Sequence, residues 1–148
     1  MRLAILCASF NRVAVTLQGL ESLREALGSV PDLDWRIYLL DDASPDGTAE
    51  AVRSRLPEVC VIEGTGNLFW NQGMRRAHAA ARRDGPWDAY LLYNDDSVLL
   101  PEAVADFFSR YAAYNREAPT ACVGCFLDPE SQKPTYSGYA VSYTHLTL

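Results

Sequence analysis

Short continuous apolar runs alternate along this chain with segments whose apolar residues recur every three or four positions. Residues 3–8 (Leu-Ala-Ile-Leu-Cys-Ala) form the first run, followed by 35–40, 59–63, 89–93 and 121–127. Runs of this length read as strands buried on both faces. Between the first two, Val13, Leu17, Leu20, Leu23 and Leu27 lay one stripe along a helix that Gly28 ends. After the turn Ser44-Pro45-Asp46-Gly47, Thr48 is expected to cap a second helix reaching about Leu56. A third is expected over 71–83, broken by Asp84-Gly85-Pro86, and a fourth opens at Pro101 with Val104, Phe107, Phe108 and Tyr111 as its stripe. Parallel neighbours need a crossover, so this alternation predicts an α/β fold: a Rossmann-like, mostly parallel sheet with helices on both faces.

Composition narrows the function. The 148 residues leave room for about one domain, and 49% hydrophobic with 22% charged residues is globular rather than disordered. A net charge of -6 argues against a nucleic-acid partner, which draws a basic surplus. No apolar run nears the ~20 residues of a membrane helix. The apolar N-terminal stretch, ended by Asn11-Arg12, is too short for a secretory signal. The cysteines Cys7, Cys60, Cys122 and Cys125 sit in apolar runs, and are expected to be reduced, buried thiols. Cys122-Val-Gly-Cys125 lacks a second ligand pair and reads as strand rather than zinc site.

In parallel sheets ligands bind beyond the carboxyl ends of the strands. Four such ends carry polar clusters: residues 9–12, 41–46, 64–71 and 94–97. They are expected to converge on one edge of the sheet. Asn94-Asp95-Asp96 follows the fourth strand directly. Adjacent carboxylates repel unless a positive charge lies near, and a hard divalent cation carrying a diphosphate would supply it. Asp41-Asp42 repeats the arrangement at the second strand end. Gly64-Thr-Gly-Asn67 permits close backbone approach before a helix, yet it is neither a Walker loop nor a full dinucleotide fingerprint.

The motifs together resemble glycosyltransferase family 2. Residues 3–12, ending in Phe10-Asn11-Arg12, are similar to the opening strand and turn of that family. Asp41-Asp-Ala-Ser-Pro-Asp-Gly-Thr48 resembles its Asp-Asp-x-Ser-x-Asp-Gly-Thr signature, and Asn94-Asp95-Asp96 a variant of its Asp-x-Asp metal motif. Gly66-Asn-Leu-Phe-Trp-Asn-Gln-Gly-Met74 is similar to a segment of its rhamnosyltransferase-like branch. The resemblance covers about residues 3–128. It implies a GT-A fold and a nucleotide-diphosphate sugar donor. Sugar would pass, with inversion, to a cell-surface glycan or glycolipid acceptor. The donor nucleotide would meet Ala8, Ser9, Asn11, Arg12, Asp42 (at the base), Asn67 and Asp95 (near the ribose or sugar). Asp96 would ligate Mg²⁺ or Mn²⁺. Ala8 stands where Thr or Ser is frequent, which removes one side-chain contact. A cytoplasmic protein, peripheral to the inner membrane face, is implied by the same resemblance. A sugar-nucleotidyltransferase on a similar sheet is the alternative, disfavoured because the first loop lacks a glycine-rich basic segment. A non-catalytic nucleotide-sugar binding domain is a further alternative.

Relatives usually exceed 200 residues, and their second half supplies the acceptor site and the general base; the expectation is that residues 1–140 are the donor-binding part of a truncated GT-A domain. Residues 141–148 (Val-Ser-Tyr-Thr-His-Leu-Thr-Leu) resemble a translated transposase adapter end from DNA sequencing. They are expected to be a non-native tail, so His145 is not a candidate catalytic residue.

Overall fold

The computed structural model describes residues 1–114, 122–128 and 130–136. The expected tail, with His145, lies outside them. The chain divides into two units, Met1–Ala105 and Asp106–Leu148.

In the first unit β1 (Arg2–Ser9), β2 (Asp34–Asp41), β3 (Cys60–Glu63) and β4 (Ala89–Leu92) form one sheet in the order β3-β2-β1-β4. Every pairing in it is parallel. Three helices make the crossovers: α1 (Val13–Gly28), α2 (Thr48–Arg55) and α3 (Phe69–Asp84). The strand order reverses direction at β1, with β2 on one side and β4 on the other. Such a switch point opens a crevice beyond the carboxyl ends of the strands.

Register places the two faces. Leu6 pairs with Tyr38 and Ile5 with Ile37, so even positions of β1 and β2 share one face and odd positions the other. Ala4, Leu6 and Tyr38 pack with Met74, Ala77 and Ala81 of α3. On the opposite face Leu3, Ile5, Cys7, Ile37 and Leu39 are buried as well. The stripe Leu17, Leu20, Leu23 and Leu27 of α1 and Val52 of α2 are also buried, and the two helices touch each other. Burying a Leu or Ile side chain contributes ~1.5–3 kcal/mol, so this double-sided core is the main source of stability. At the β4 edge Leu92, Val98 and Leu100 stay exposed.

Three expectations are corrected. The third helix begins at Phe69, two residues before the expected start at 71, because backbone N–H groups there are satisfied by a carboxylate from the end of β2. Gly47 rather than Thr48 is the residue preceding α2, and Thr48 is its first helical residue. The fifth run does not extend the parallel sheet. Among its described residues only β5 (Phe126–Leu127) is strand, paired antiparallel with β6 (Pro134–Tyr136) in the second unit. The Asp128 carboxylate accepts the N–H groups of Glu130 (3.2 Å) and Ser131 (2.7 Å), which reverses the chain into a local hairpin. The expectation of buried thiols holds for Cys7 in β1 but not for Cys122 and Cys125, which are exposed because their run does not enter the parallel sheet. The fourth helix, α4 (Pro101–Tyr114), opens at its proline as expected.

Candidate functional site

The strand ends meet as expected from a parallel sheet, and carboxylates lace them together. Asp41 Oδ1 accepts the Ser44 hydroxyl, and Ser44 Oγ in turn accepts the Asn11 N–H at 2.9 Å. Asn11 sits at φ 53°, a left-handed turn position that asparagine tolerates. Asp46 Oδ2 accepts the Val13 N–H at 2.8 Å, while Oδ1 accepts the Thr48 hydroxyl (2.6 Å) and N–H (3.1 Å). One carboxylate thereby caps two helices. Arg12, which precedes α1, has no capping side chain of its own. The Thr48 hydroxyl bond above all lowers the Asp46 pKa; desolvation opposes it, and the Val13 and Thr48 N–H groups add to the lowering.

Asp42 holds the third loop. Its Oδ1 accepts the N–H groups of Thr65 (3.1 Å) and Gly66 (2.8 Å), and its Oδ2 those of Leu68 (2.7 Å) and Phe69 (3.1 Å). Burial raises its pKa, but the four N–H bonds outweigh that and the net shift is downward. Gly64 makes this possible, since a Cβ there would strike Asp42 Oδ1 and come within 2.7 Å of Asp42 Cα. A base contact by Asp42 would have to share a carboxylate whose lone pairs these donors already fill.

The β4 end closes in a turn, in which the Ser97 N–H donates to the Asn94 carbonyl at 3.1 Å. Tyr93 continues the ladder, donating its N–H to the Leu6 carbonyl at 2.9 Å. Tyr93 and Asp95 are buried, while Asn94 and Asp96 are exposed. Asp95 Oδ2 accepts the Thr16 hydroxyl at 2.8 Å, and Thr16 shares a hydrogen bond of 2.6 Å with Ser9 Oγ. Arg12 supplies the positive charge: its Nε lies 3.4 Å from Asp95 Oδ2 and its Nη1 3.3 Å from Asp96 Oδ2.

A cavity of about 220 Å³ opens at this edge, lined by Ala8, Ser9, Phe10, Arg12, Asp42, Gly66, Phe69 and Trp70. Of the residues singled out in the sequence, Ala8, Ser9, Arg12 and Asp42 line it. Asp95 and Asp96 join it through Arg12, and Asn94 through the Trp70 indole N–H, which donates to Asn94 Oδ1 at 3.3 Å. Asn11 shapes the turn beside it, and Asn67 is exposed outside its lining.

Sequence reasoning misses three contributors. Thr16 is a lone hydroxyl on the buried side of an amphipathic helix. Gly19 is a glycine inside that helix, where a Cβ would collide with the Asp95 carbonyl oxygen and lie 3.3 Å from that of Ser97. Tyr93 donates its hydroxyl to the Gly19 carbonyl (2.9 Å) and lies against that of Ser97. A glycine within a helical pattern is the one such signal legible in sequence.

Among the described residues, no three His, Cys, Asp or Glu side chains converge as a protein-only metal cage. Mg²⁺ is commonly held by only one or two carboxylates plus substrate phosphates. Asp96 offers a hard oxygen pair on a half-exposed carboxylate.

A family model described as Glycosyl transferase family 2 matches residues 4–144. The chain belongs to glycosyl transferase family 2. No curated protein matches its sequence. Its fold is similar to mannosyltransferase PcManGT from Pyrobaculum calidifontis, solved in complex with GDP-Man and Mn²⁺: TM-score 0.60, 19% identity, 88% of this chain and 36% of that one. It is also similar to residues 1–349 of S. aureus TarS, at TM-score 0.53 and 16% identity over 79% of this chain and 33% of that one. The family 2 chain thus spans about a third of the length of these neighbours, and the likeness is one of GT-A fold. No helix among the described residues is long and apolar enough to cross a membrane.

Proposed function

We propose that this family 2 chain binds the nucleoside diphosphate of a sugar donor in the cavity beyond β1 and β2, with a divalent cation at Asp96, as the donor half of a glycosyltransferase. The observation that carries the reading is Arg12, which lines the cavity and spans to both Asp95 and Asp96. A guanidinium beside an exposed carboxylate suits a ligand that brings its own negative charge and a cation with it. The crystallised ligands GDP-Man with Mn²⁺ and UDP of the structural neighbours have this chemistry.

Phe10, Phe69 and Trp70 are exposed aromatics at the cavity wall, suited to stacking on a base or packing on a sugar ring. Ala8 and Ser9 give backbone beneath them. Asp42 acts at one remove, by fixing the loop that carries Phe69. Asp95, pinned by Thr16, keeps Arg12 in place, and Asp96 would hold Mg²⁺ or Mn²⁺. When bound, the cation neutralises charge on the leaving diphosphate. In transfer, an acceptor oxygen forms the new bond to the anomeric carbon as the bond to the diphosphate oxygen breaks. The electron pair leaves with the diphosphate, and the acceptor proton passes to a general base. The strand-end carboxylates do not take that role, because they hold loops, Arg12 or the cation. The segment from Gly66 to Met74 supports the finer reading of a rhamnosyl-type donor and a cell-surface glycan or glycolipid acceptor, with the protein on the cytosolic side where such donors are made.

Calorimetry on the full chain tests the reading with GDP, UDP and their sugar conjugates, with and without Mn²⁺. Binding that needs Mn²⁺ and falls at least about tenfold in Asp96→Ala supports it. Equal binding without metal, or none in any combination, overturns it.

A further inference from the structure

We propose that Arg12 is a tethered stand-in for the cation. It neutralises Asp95 and Asp96 in the ligand-free chain, and it releases Asp96 only when a diphosphate arrives to receive the guanidinium. The proposal deepens the donor-binding reading above and rests on it.

The two carboxylates are held unequally. Asp95 is buried and has the Thr16 hydroxyl at 2.8 Å as well as Arg12 Nε at 3.4 Å. It stays anchored if Arg12 moves. The Asp96 side chain is 54% exposed, and Arg12 Nη1 stands 3.3 Å from its Oδ2. A cation at ~2.0–2.1 Å from the same carboxylate would sit within a few ångströms of the guanidinium. Like charges that close compete for one oxygen set. Metal alone must therefore work against Arg12.

A diphosphate changes the balance. It adds oxygen ligands for the cation and forked acceptors for the guanidinium. The Arg12 side chain is 44% exposed and already lines the cavity, so it can rotate about its Asp95 contact without being dug out of the core. Cation and diphosphate should then strengthen each other's binding by the same factor, as linkage requires. The device keeps adventitious divalent ions off the acidic tip until donor is present.

The test is Mn²⁺ binding to the full chain, read from the EPR signal of free Mn²⁺. It is run alone and with saturating GDP or UDP, and corrected for the Mn²⁺–nucleotide complex in solution. In the native chain the nucleotide should tighten Mn²⁺ by about tenfold or more, within the usual range of coupling. Arg12→Gln should bind Mn²⁺ alone about fivefold tighter than the native chain and lose most of the nucleotide effect. Arg12→Lys keeps the charge and should restore weak Mn²⁺ binding. Mn²⁺ binding to Arg12→Gln that is no tighter than native, or Arg12→Lys tightening as Arg12→Gln does, overturns the proposal. Should nucleotide bind neither protein, the donor reading fails by itself, while the metal-alone comparison still judges Arg12.

Discussion

Asp42 Oδ2 accepts the backbone N–H of Phe69 at 3.1 Å, joining positions 27 residues apart, and Phe69 sits at φ 51°. A left-handed conformation is unfavourable for a bulky residue, and this one is held by a carboxylate at the end of β2. The consequence is an aromatic ring 79% exposed at the cavity wall. Asp42→Asn keeps the shape but turns an NH₂ toward one pair of N–H donors. We expect a loss of about 2–3 kcal/mol in stability, measured by urea unfolding, with weaker nucleotide binding.

Phe69→Gly separates the strain from its use. Glycine adopts a positive φ freely and little buried surface is lost, so stability should rise by about 1 kcal/mol in thermal unfolding. Nucleotide affinity in the presence of Mn²⁺ should fall several-fold, since the aromatic wall is gone.

Acid should loosen this edge of the sheet first. Asp42 and Asp46 have folded pKa values below the ordinary carboxylate range, because backbone N–H groups and the Thr48 hydroxyl bind their charged forms. Their stabilisation is present above the unfolded value of about 3.9 and is lost as pH falls through the lower folded values. The urea midpoint should drop as pH falls from about 5 to about 2, and less steeply in Asp42→Asn. Equal slopes for both proteins would remove Asp42 from the explanation.

Gly19→Ala should disturb the β4 tip from beneath. Its Cβ has no room against the Asp95 and Ser97 carbonyls, which are backbone and cannot rotate aside. We expect a loss of about 1–3 kcal/mol and weaker Mn²⁺-dependent nucleotide binding, read by thermal shift with and without ligand.

The sheet, its four parallel strands and the convergence of their polar ends follow from apolar period and turn residues. What the linear pattern does not yield is who holds whom. Asp41, Asp42 and Asp46 stand together in sequence, yet they serve three different loops. Asp95 and Asp96 are adjacent but differ in exposure, because the turn after β4 buries one carboxylate against Thr16 and leaves the other open to solvent. Thr16 joins the site across 79 residues of chain, a contact only the fold creates. The run at 121–127 misleads because hydrophobicity marks a strand without naming its partner, and a local Asx turn wins.

The claim on which the rest depends is that a cation links Asp96 to a diphosphate at this edge. Phosphorus-31 ENDOR of Mn²⁺ bound to the full chain with GDP or UDP measures it directly. A phosphorus coupling of direct coordination in the native protein, absent in Asp96→Ala, is the expected result. Protein-bound Mn²⁺ without phosphorus coupling, or coupling unchanged in Asp96→Ala, would contradict it.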